Sequence, residues 1–500
     1  MGKKTVGHPA ALPLLAALTP ERFEVRILDE ELEKIPGGPL PDLVGITALI
    51  SNIRRAYELA DKFRSLNVPV VMGGPQVTFN IDEALTHADA VVAGEAEPVW
   101  QSLLNDFERG ELRALYKAEE LCAFKQSPVP RWDLLDTSKM LTFGVQVSRG
   151  CPHRCDFCLV RKLFGKSQRY RDIDNVIEEI ASLPHDAQIA FADDNLTADK
   201  QYARALMERL SPLKRSWSCQ ASLEVTEDTE LLDLMAGAGC NSILIGFETL
   251  DPKSLKEAHK PQNRVEKYLV GIENVHRAGM HVLGSFVVGF ENDTEETFAR
   301  ILTFTKQANL SFVMLNALSV YPGTDLHRRM EAAGRVTRIN TDLCNGLVPT
   351  MRYAHLTQEA VFSGILSALR EIFSFENLSV RGPSVLGNGA FLDRVTPEVS
   401  AWVKLRSVLH LLFRYALSLN RHKRRLLFQL IRMVRAGRLG MGAMMQYLMF
   451  VTSIRGYLRF NERRAPRILA DLRRNDSEVK TAQELSARER MSETSSSLSA

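Results

Sequence analysis

Three cysteines, Cys151, Cys155 and Cys158, crowd into one short loop at C-x3-C-x2-C spacing. The loop directly follows a strand-like run, residues 143–149 (FGVQVSR). Thiolates this close can wrap one corner of an iron–sulfur cube, and such clusters are held by cysteine thiolates, usually four. Three from a single loop leave one iron open to an outside ligand. A zinc site and three unrelated thiols are the other readings. Zinc motifs pair a C-x2-C with a second Cys or His pair at a set distance. His153 is too close for that role and no second pair is apparent. Seven cysteines in 500 residues do not make a disulfide scaffold. They point to a reducing compartment and to thiols used as ligands.

The chain around this loop alternates strand-like and helical stretches. Ahead of it, runs at 23–30 (FEVRILDE), 42–49 (DLVGITAL), 68–74 (VPVVMGG) and 88–97 (ADAVVAGEAE) read as strands, with helical periodicity at 11–18 and 54–66. That alternation predicts a parallel sheet with helices on both faces, over residues 1–116. Such sheets bind ligands where the strand carboxyl ends open into loops, here 47–50, 73–78 and 94–97. A first strand is expected before the helix at 11–18, where only about ten residues stand, so the start reads as truncated or mis-assigned. Residues 117–142 form a Pro-rich connector.

From 143 to 348 the alternation resumes, with strands expected at 143–149, 188–193, 216–222, 242–248, 281–290 and 312–320. Six such strands suggest an open relative of the (β/α)8 barrel, whose active sites sit at the strand carboxyl ends. Residues 349–475 read as helical and basic, with helices expected at 357–373 and 397–417. Between 414 and 467 there are thirteen Lys and Arg and one acid, Glu462. Residues 476–500, rich in Ser, Glu and Arg, read as a disordered tail.

A composition of 45% hydrophobic and 25% charged residues excludes a disordered, collagen-like or polytopic membrane chain. The net charge of +3 points to no partner by itself. No secretory signal or membrane span is apparent: the apolar stretch 440–454 is short and carries Gln446. The expected location is cytoplasmic.

The cysteine spacing, its place after the first barrel strand and the aromatic Phe157 before the third cysteine resemble the radical SAM superfamily. The resemblance covers residues 143–348. It implies that Cys151, Cys155 and Cys158 ligate a [4Fe–4S] cluster whose open iron chelates S-adenosylmethionine, and that Phe157 lies against the adenine. It places the methionine end at Asp193, Asp194 and Asn195, where carboxylates meet an ammonium, the ribose at Glu248, and the adenine at Gly289. The loop 321–324 (YPGT) also fits many members. A one-electron donor such as flavodoxin or ferredoxin goes with that chemistry.

The front segment resembles the cobalamin-binding domain often fused ahead of this barrel. The match rests on Thr47-Ala48-Leu49 under the corrin, Gly73-Gly74 near the nucleotide tail, and Gly94-Glu95 in a closing GEAE motif. A flat macrocycle with a long tail needs such close backbone approach. The D-x-H-x-x-G motif, whose histidine would reach cobalt, is absent, and His8 does not stand in that context. Methylthiotransferases, which carry three cysteines in the front domain, are set aside because only Cys122 precedes Cys151.

The expected architecture is therefore α/β: a Rossmann-like (flavodoxin-like) cobalamin-binding-type domain, a partial (β/α)6 barrel and a helical C-terminal region. The resemblance implies methylation of an unactivated carbon. One S-adenosylmethionine methylates the corrin, and a second yields the 5′-deoxyadenosyl radical that activates the substrate. Cyclisation, ring contraction or carbon–carbon coupling on a lipid, isoprenoid or tetrapyrrole is the alternative. From another class, a non-catalytic cluster- or cobalamin-binding regulator stands beside it, as does a peripheral membrane accessory protein. The basic C-terminal helices read as a solvated cap or as a face for anionic lipid headgroups. Nucleic acid is not expected, since no known module is present. Cys122, Cys219, Cys240 and Cys344 read as core or loop residues, with Cys219 a weak candidate to face the cavity and Cys344 a weak candidate thiol.

Overall fold

The fold is given by a computed structural model that describes residues 10–30, 32–35, 38–337, 346–387 and 413–497, without the side chains of 476–497. Cys344 and His8, and most of the helix expected at 397–417, lie outside the described residues.

The front unit is a four-stranded parallel sheet in sequence order: β1 (Val44–Thr47), β2 (Val70–Gly73), β3 (Ala90–Ala93) and β4 (Leu115–Lys117). The inner strands are continuous apolar runs because helices cover both faces. Met72 and Val77 pack with Ile53 and Ala60 on one side, and Val71 and Val92 with Leu103 and Tyr116 on the other. The helices Ile53–Ser65 and Ala11–Leu18 form as expected.

Residues 23–30 form no strand, against expectation. In a flavodoxin-like order the second strand flanks the first and has no other neighbour. Among the described residues no strand precedes it, so the run has no ladder to join. Its apolar side chains are still used: Ile27 is buried and Phe23 packs against the second of the two cores.

The central unit is an open six-stranded parallel sheet, again in sequence order. It comprises β5 (Thr142–Val145), β8 (Gln188–Phe191), β9 (Trp217–Ala221), β10 (Cys240–Glu248), β11 (His281–Val288) and β12 (Phe312–Ala317). The run 143–149 does not stay one strand. β5 stops at Val145, and β6 (Ser148–Arg149) turns off to pair antiparallel with β7 (Arg169–Tyr170). The cysteine loop is what this hairpin carries. Side-chain caps from Asp172, Asp199, Asp228 and Asp251 start the helices that return along the outside of the sheet.

The connector is packed rather than loose: Trp132 is buried and its indole N–H donates to Glu179 Oε1 at 3.0 Å. At the other end the helix Gln358–Ile372 packs on β12, and the helix Met441–Ser497 packs on that helix. Leu448 and Val451 are buried there. That last helix runs through 476–497, where a disordered tail was expected. Its four Glu and two Arg lose little on entering a helix, although Ser is the commonest residue there.

Candidate functional site

The cysteine loop is tied down at several points. Gly150 has φ +92°, and a Cβ there would lie 2.6 Å from the Ser167 carbonyl oxygen, so the neck of the loop accepts only glycine without strain. Asp156, between Cys155 and Phe157, donates its N–H to the Ala258 carbonyl and accepts from Leu326 N–H. Its buried carboxylate takes Arg329 Nη2 at 2.6 Å. The three thiols are free and half-buried. Burial raises the pKa of each, that of Cys158 to about 12.

Among the described residues no three His, Cys, Asp or Glu side chains close on a single point. Three thiols on one short loop fit an iron–sulfur cluster, which is held by cysteine thiolates. Cationic compensation is also at hand. Lys260 is buried and donates from Nζ to Glu248 and, at 3.0 Å, to the Gly246 carbonyl. Burial opposes its charge, but Glu248 and the Cys155 and Cys158 sulfurs keep its pKa above the usual value. The Gln262 amide reaches Cys155 Sγ at 3.9 Å. Neither Lys260 nor Gln262 belongs to any motif. The only signal for them was position, in the loop after the short helix Pro252–Glu257 that follows the strand carrying Glu248.

The three polar residues at the end of β8, Asp193, Asp194 and Asn195, divide by role. Asp193 is buried and accepts from Ser148 Oγ at 2.6 Å and from the backbone N–H groups of Val147 and Ser148. It thereby holds the bend between β5 and β6. Burial nevertheless lifts its pKa to about 7. Asn195 is spent on Ser222, accepting its N–H at 3.2 Å. Asp194 alone has no hydrogen-bonding partner among the described residues, and burial lifts its pKa to about 6. It faces Cys151 and Cys158 closely enough to act on both thiols. Of the three, it is the one with capacity to receive an ammonium.

Glu248 sits at the end of β10 with φ +62°, its carboxylate held by Lys260. Gly289 has φ +123°, and its N–H donates to Asp293 Oδ2 at 2.7 Å. A side chain at Gly289 would strike the ring of Tyr353, so this glycine also makes room for an aromatic from the chain after the barrel. Phe157 meets Phe290 edge-on, with ring centroids 6.3 Å apart. Cys219 and Cys240 are buried on neighbouring strands and interact with each other.

In the front unit, Gly74 has φ +101° and presses on Thr47: a Cβ there would lie 2.8 Å from Thr47 Oγ1. Gly73 is close to Val92, and the Gly94 N–H donates to Thr78 Oγ1 at 3.0 Å. A Cβ at Gly94 would meet nothing within 4 Å, and Leu49 is 53% exposed. Together they leave an open, partly apolar lip at the strand ends, which fits a flat ligand. No histidine stands at these loops. His87, at the opposite end of the sheet, stacks on Tyr57 and pairs with Asp61. Glu95 is not free for a cofactor. Its carboxylate is taken by Arg149, Arg169 and the Cys122 N–H.

The front unit's strand-end loops contact the strand-end side of the barrel. Phe79, just after Gly74, packs on Gly323 beyond β12, and Glu95 reaches the hairpin beyond β5. A barrel whose cysteine loop faces a corrin-type Rossmann unit defines a radical SAM enzyme with a cobalamin-binding domain. The radical SAM superfamily model matches residues 145–305, and the B12 binding domain model matches residues 4–104. An uncharacterized methyltransferase of Pyrococcus horikoshii is 30% identical, over 71% of this chain and 86% of its own length. The bacteriochlorophyllide d C-12(1)-methyltransferase of Chlorobaculum tepidum is 29% identical, over 74% and 83%. Among solved structures, the radical S-adenosylmethionine methyltransferase TsrM of Kitasatospora setae aligns over 73% of this chain and 80% of its own, with TM-score 0.56 and 17% identity. The chain belongs to the radical SAM enzymes that carry a B12-binding domain.

Proposed function

We propose that this protein is a C-methyltransferase acting on an unactivated carbon of an apolar ring compound. The observation that carries the reading is the apposition of the two strand-end faces, with Phe79 on Gly323 and Glu95 on the cysteine hairpin. It gives a radical generator and a methyl carrier one shared space. Cys151, Cys155 and Cys158 would hold the cluster, and Thr47, Leu49, Gly73, Gly74 and Gly94 would seat the corrin. When bound, the cluster supplies the electron that splits S-adenosylmethionine and the corrin supplies the methyl group. The chain's own part is binding and exclusion. Asp194 receives the methionine ammonium, Glu248 held by Lys260 meets the ribose, and Phe157 with Phe290 offers the adenine an apolar wall. Asp193 and Asn195 act behind them as braces. Anaerobic turnover with methyl-labelled S-adenosylmethionine tests the reading. Label in the organic product together with 5′-deoxyadenosine is expected; turnover with no label transferred would defeat it.

Two contacts complete the proposal. A groove of about 640 Å³ runs beside the cysteine loop, lined by Arg154, Lys256 and Arg264 against a single acid, Glu266, and reaching Gln262 beside Cys155. Its basic rim suits an acidic one-electron donor such as a flavodoxin or ferredoxin. The helix Arg421–Arg435 presents Arg421, Arg425, Phe428, Arg432 and Arg435 on one exposed stripe while Leu426, Leu427 and Leu430 are buried behind. Glu462 pairs with Arg370 and not with this stripe. Phe413, Leu417 and Leu419 are exposed just ahead of it. Arginine interleaved with large apolar side chains matches an anionic lipid surface. Relatives named for bacteriochlorophyllide and for hopanoid methylation act on molecules of that apolar kind. No helix among the described residues is long and apolar enough to cross a membrane, and the contact proposed for this stripe is a peripheral one.

A further inference from the structure

We propose that Glu95 is a positioning residue that locks the cysteine loop to the front domain, and so sets the separation between the two cofactor sites. Glu95 lies in the loop after β3, within the Gly94–Glu97 turn that sequence alone associates with a corrin. Its Oε1 accepts from Arg149 Nη1 at 3.0 Å and Arg169 Nη2 at 2.8 Å. Its Oε2 accepts from Arg169 Nη1 at 2.9 Å and from the Cys122 backbone N–H at 2.8 Å. Glu97 adds a second carboxylate to Arg149 at 2.6 Å. Arg149 and Arg169 are not scattered partners. They are cross-strand neighbours in the β6–β7 ladder, the neck from which all three cysteines hang.

The cluster of charges is buried. The Glu95 side chain is 2% exposed and that of Arg149 8%. Arg149 also lies over Phe124, 4.4 Å from the ring centroid. A junction built only for stability would be apolar, because desolvating an ion pair costs about as much as its attraction returns. What buried, forked arginine pairs provide is a fixed orientation. Here two acids from the front domain meet two arginines at the only two-residue ladder of the loop. Any displacement of the front domain is therefore passed to the residue one step before Gly150 and two before Cys151. The substrate must meet both sites, so this lock fixes the path between radical generation and methyl delivery. That consequence rests on the methyl-transfer reading; the lock itself does not.

The test uses the full chain with Glu95→Ala and the isosteric Glu95→Gln, read in two arms. In the cofactor-free protein, calorimetry should show one cooperative transition for the parent chain. The variants should show two, as the front domain and barrel uncouple. In the reconstituted protein with cob(II)alamin added, the magnetic interaction between reduced cluster and corrin should weaken in both variants. Methylated product per 5′-deoxyadenosine should fall roughly a hundredfold, the scale of an ångström-level misplacement. The lock is overturned if both variants melt in one transition with the parent's magnetic coupling. It is also overturned if product and 5′-deoxyadenosine fall together at constant ratio. A parent chain that binds no corrin would defeat the methyl-transfer reading, while the calorimetric arm would still decide the lock.

Discussion

Adjacent residues can carry unrelated duties, and the run Asp193-Asp194-Asn195 is the sharpest instance. Read as sequence, all three stand where a methionine ammonium would be met. In the fold, Asp193 is consumed by Val147 and Ser148 and Asn195 by Ser222, while the Asp194 carboxylate has no hydrogen-bonding partner among the described residues. A charge-assisted hydrogen bond contributes about 2 kcal/mol, roughly thirtyfold in affinity. Asp194→Asn is expected to raise KM for S-adenosylmethionine by that factor and to leave the melting temperature within a degree or so. Asp193→Asn should do the reverse in kind, lowering the unfolding free energy by about 2 kcal/mol, because a buried brace loses its acceptor. Equilibrium binding of S-adenosylmethionine and thermal unfolding, run on both variants, separate the two. Equal loss of affinity without destabilisation in both would mean that Asp193 also meets the ligand. The cysteines were legible because their chemistry needs that spacing in one loop. Lys260 was not, because its partner Glu248 is twelve residues away and the pairing exists only after the chain folds.

Elements were legible wherever local pattern and tertiary partner agree. Three of the four front strands have apolar runs with packed cores on both faces, and the six barrel strands alternate buried and half-exposed residues, with helices along their outer face. Residues 23–30 have the same pattern and form no strand, since a ladder also needs a neighbour. The short hairpin of β6 and β7 was invisible for the opposite reason: two residues per strand leave no periodicity to read. Yet this hairpin decides where the thiols go. Its neck depends on Gly150, whose φ of +92° and closeness to Ser167 leave no room for a side chain. Gly150→Ala should cost about 1–3 kcal/mol locally. The expected result is a fold unchanged by far-ultraviolet circular dichroism, with iron per chain after anaerobic reconstitution falling to less than half. Full iron loading in that variant would show that the loop can form without the left-handed turn.

At the scale of the molecule, two domains were each legible from their own motifs, but the way they face each other was not. Contacts such as Phe79 on Gly323 join positions far apart in sequence and obey no spacing rule. The C-terminal region shows the same limit. Its charge count was plain, but a count does not say which arginines neutralise acids and which are left outward. The fold resolves it: Arg370 takes Glu462 and Arg473 takes Glu359, while Arg421, Arg425, Arg432 and Arg435 share one exposed helix face with Phe428. Each basic residue near an anionic membrane contributes about 1 kcal/mol, so the four together supply about 4 kcal/mol, near a thousandfold in partitioning. Sedimentation with vesicles of phosphatidylcholine and phosphatidylglycerol should therefore pull the protein down, and pure phosphatidylcholine should not. Changing the four arginines to glutamine should abolish the effect, while the same changes leave the melting temperature near that of the parent because all four side chains point to solvent. With the arginines kept, Phe428→Ser should weaken sedimentation in a way that added salt does not mimic, since salt screens the arginines and not the ring. Binding of equal strength to neutral vesicles, or a preference for duplex DNA over anionic vesicles at the same salt, would remove the lipid assignment. In that case the stripe would belong to a different partner, and the proposed apolar substrate would have to reach the barrel without the membrane's help.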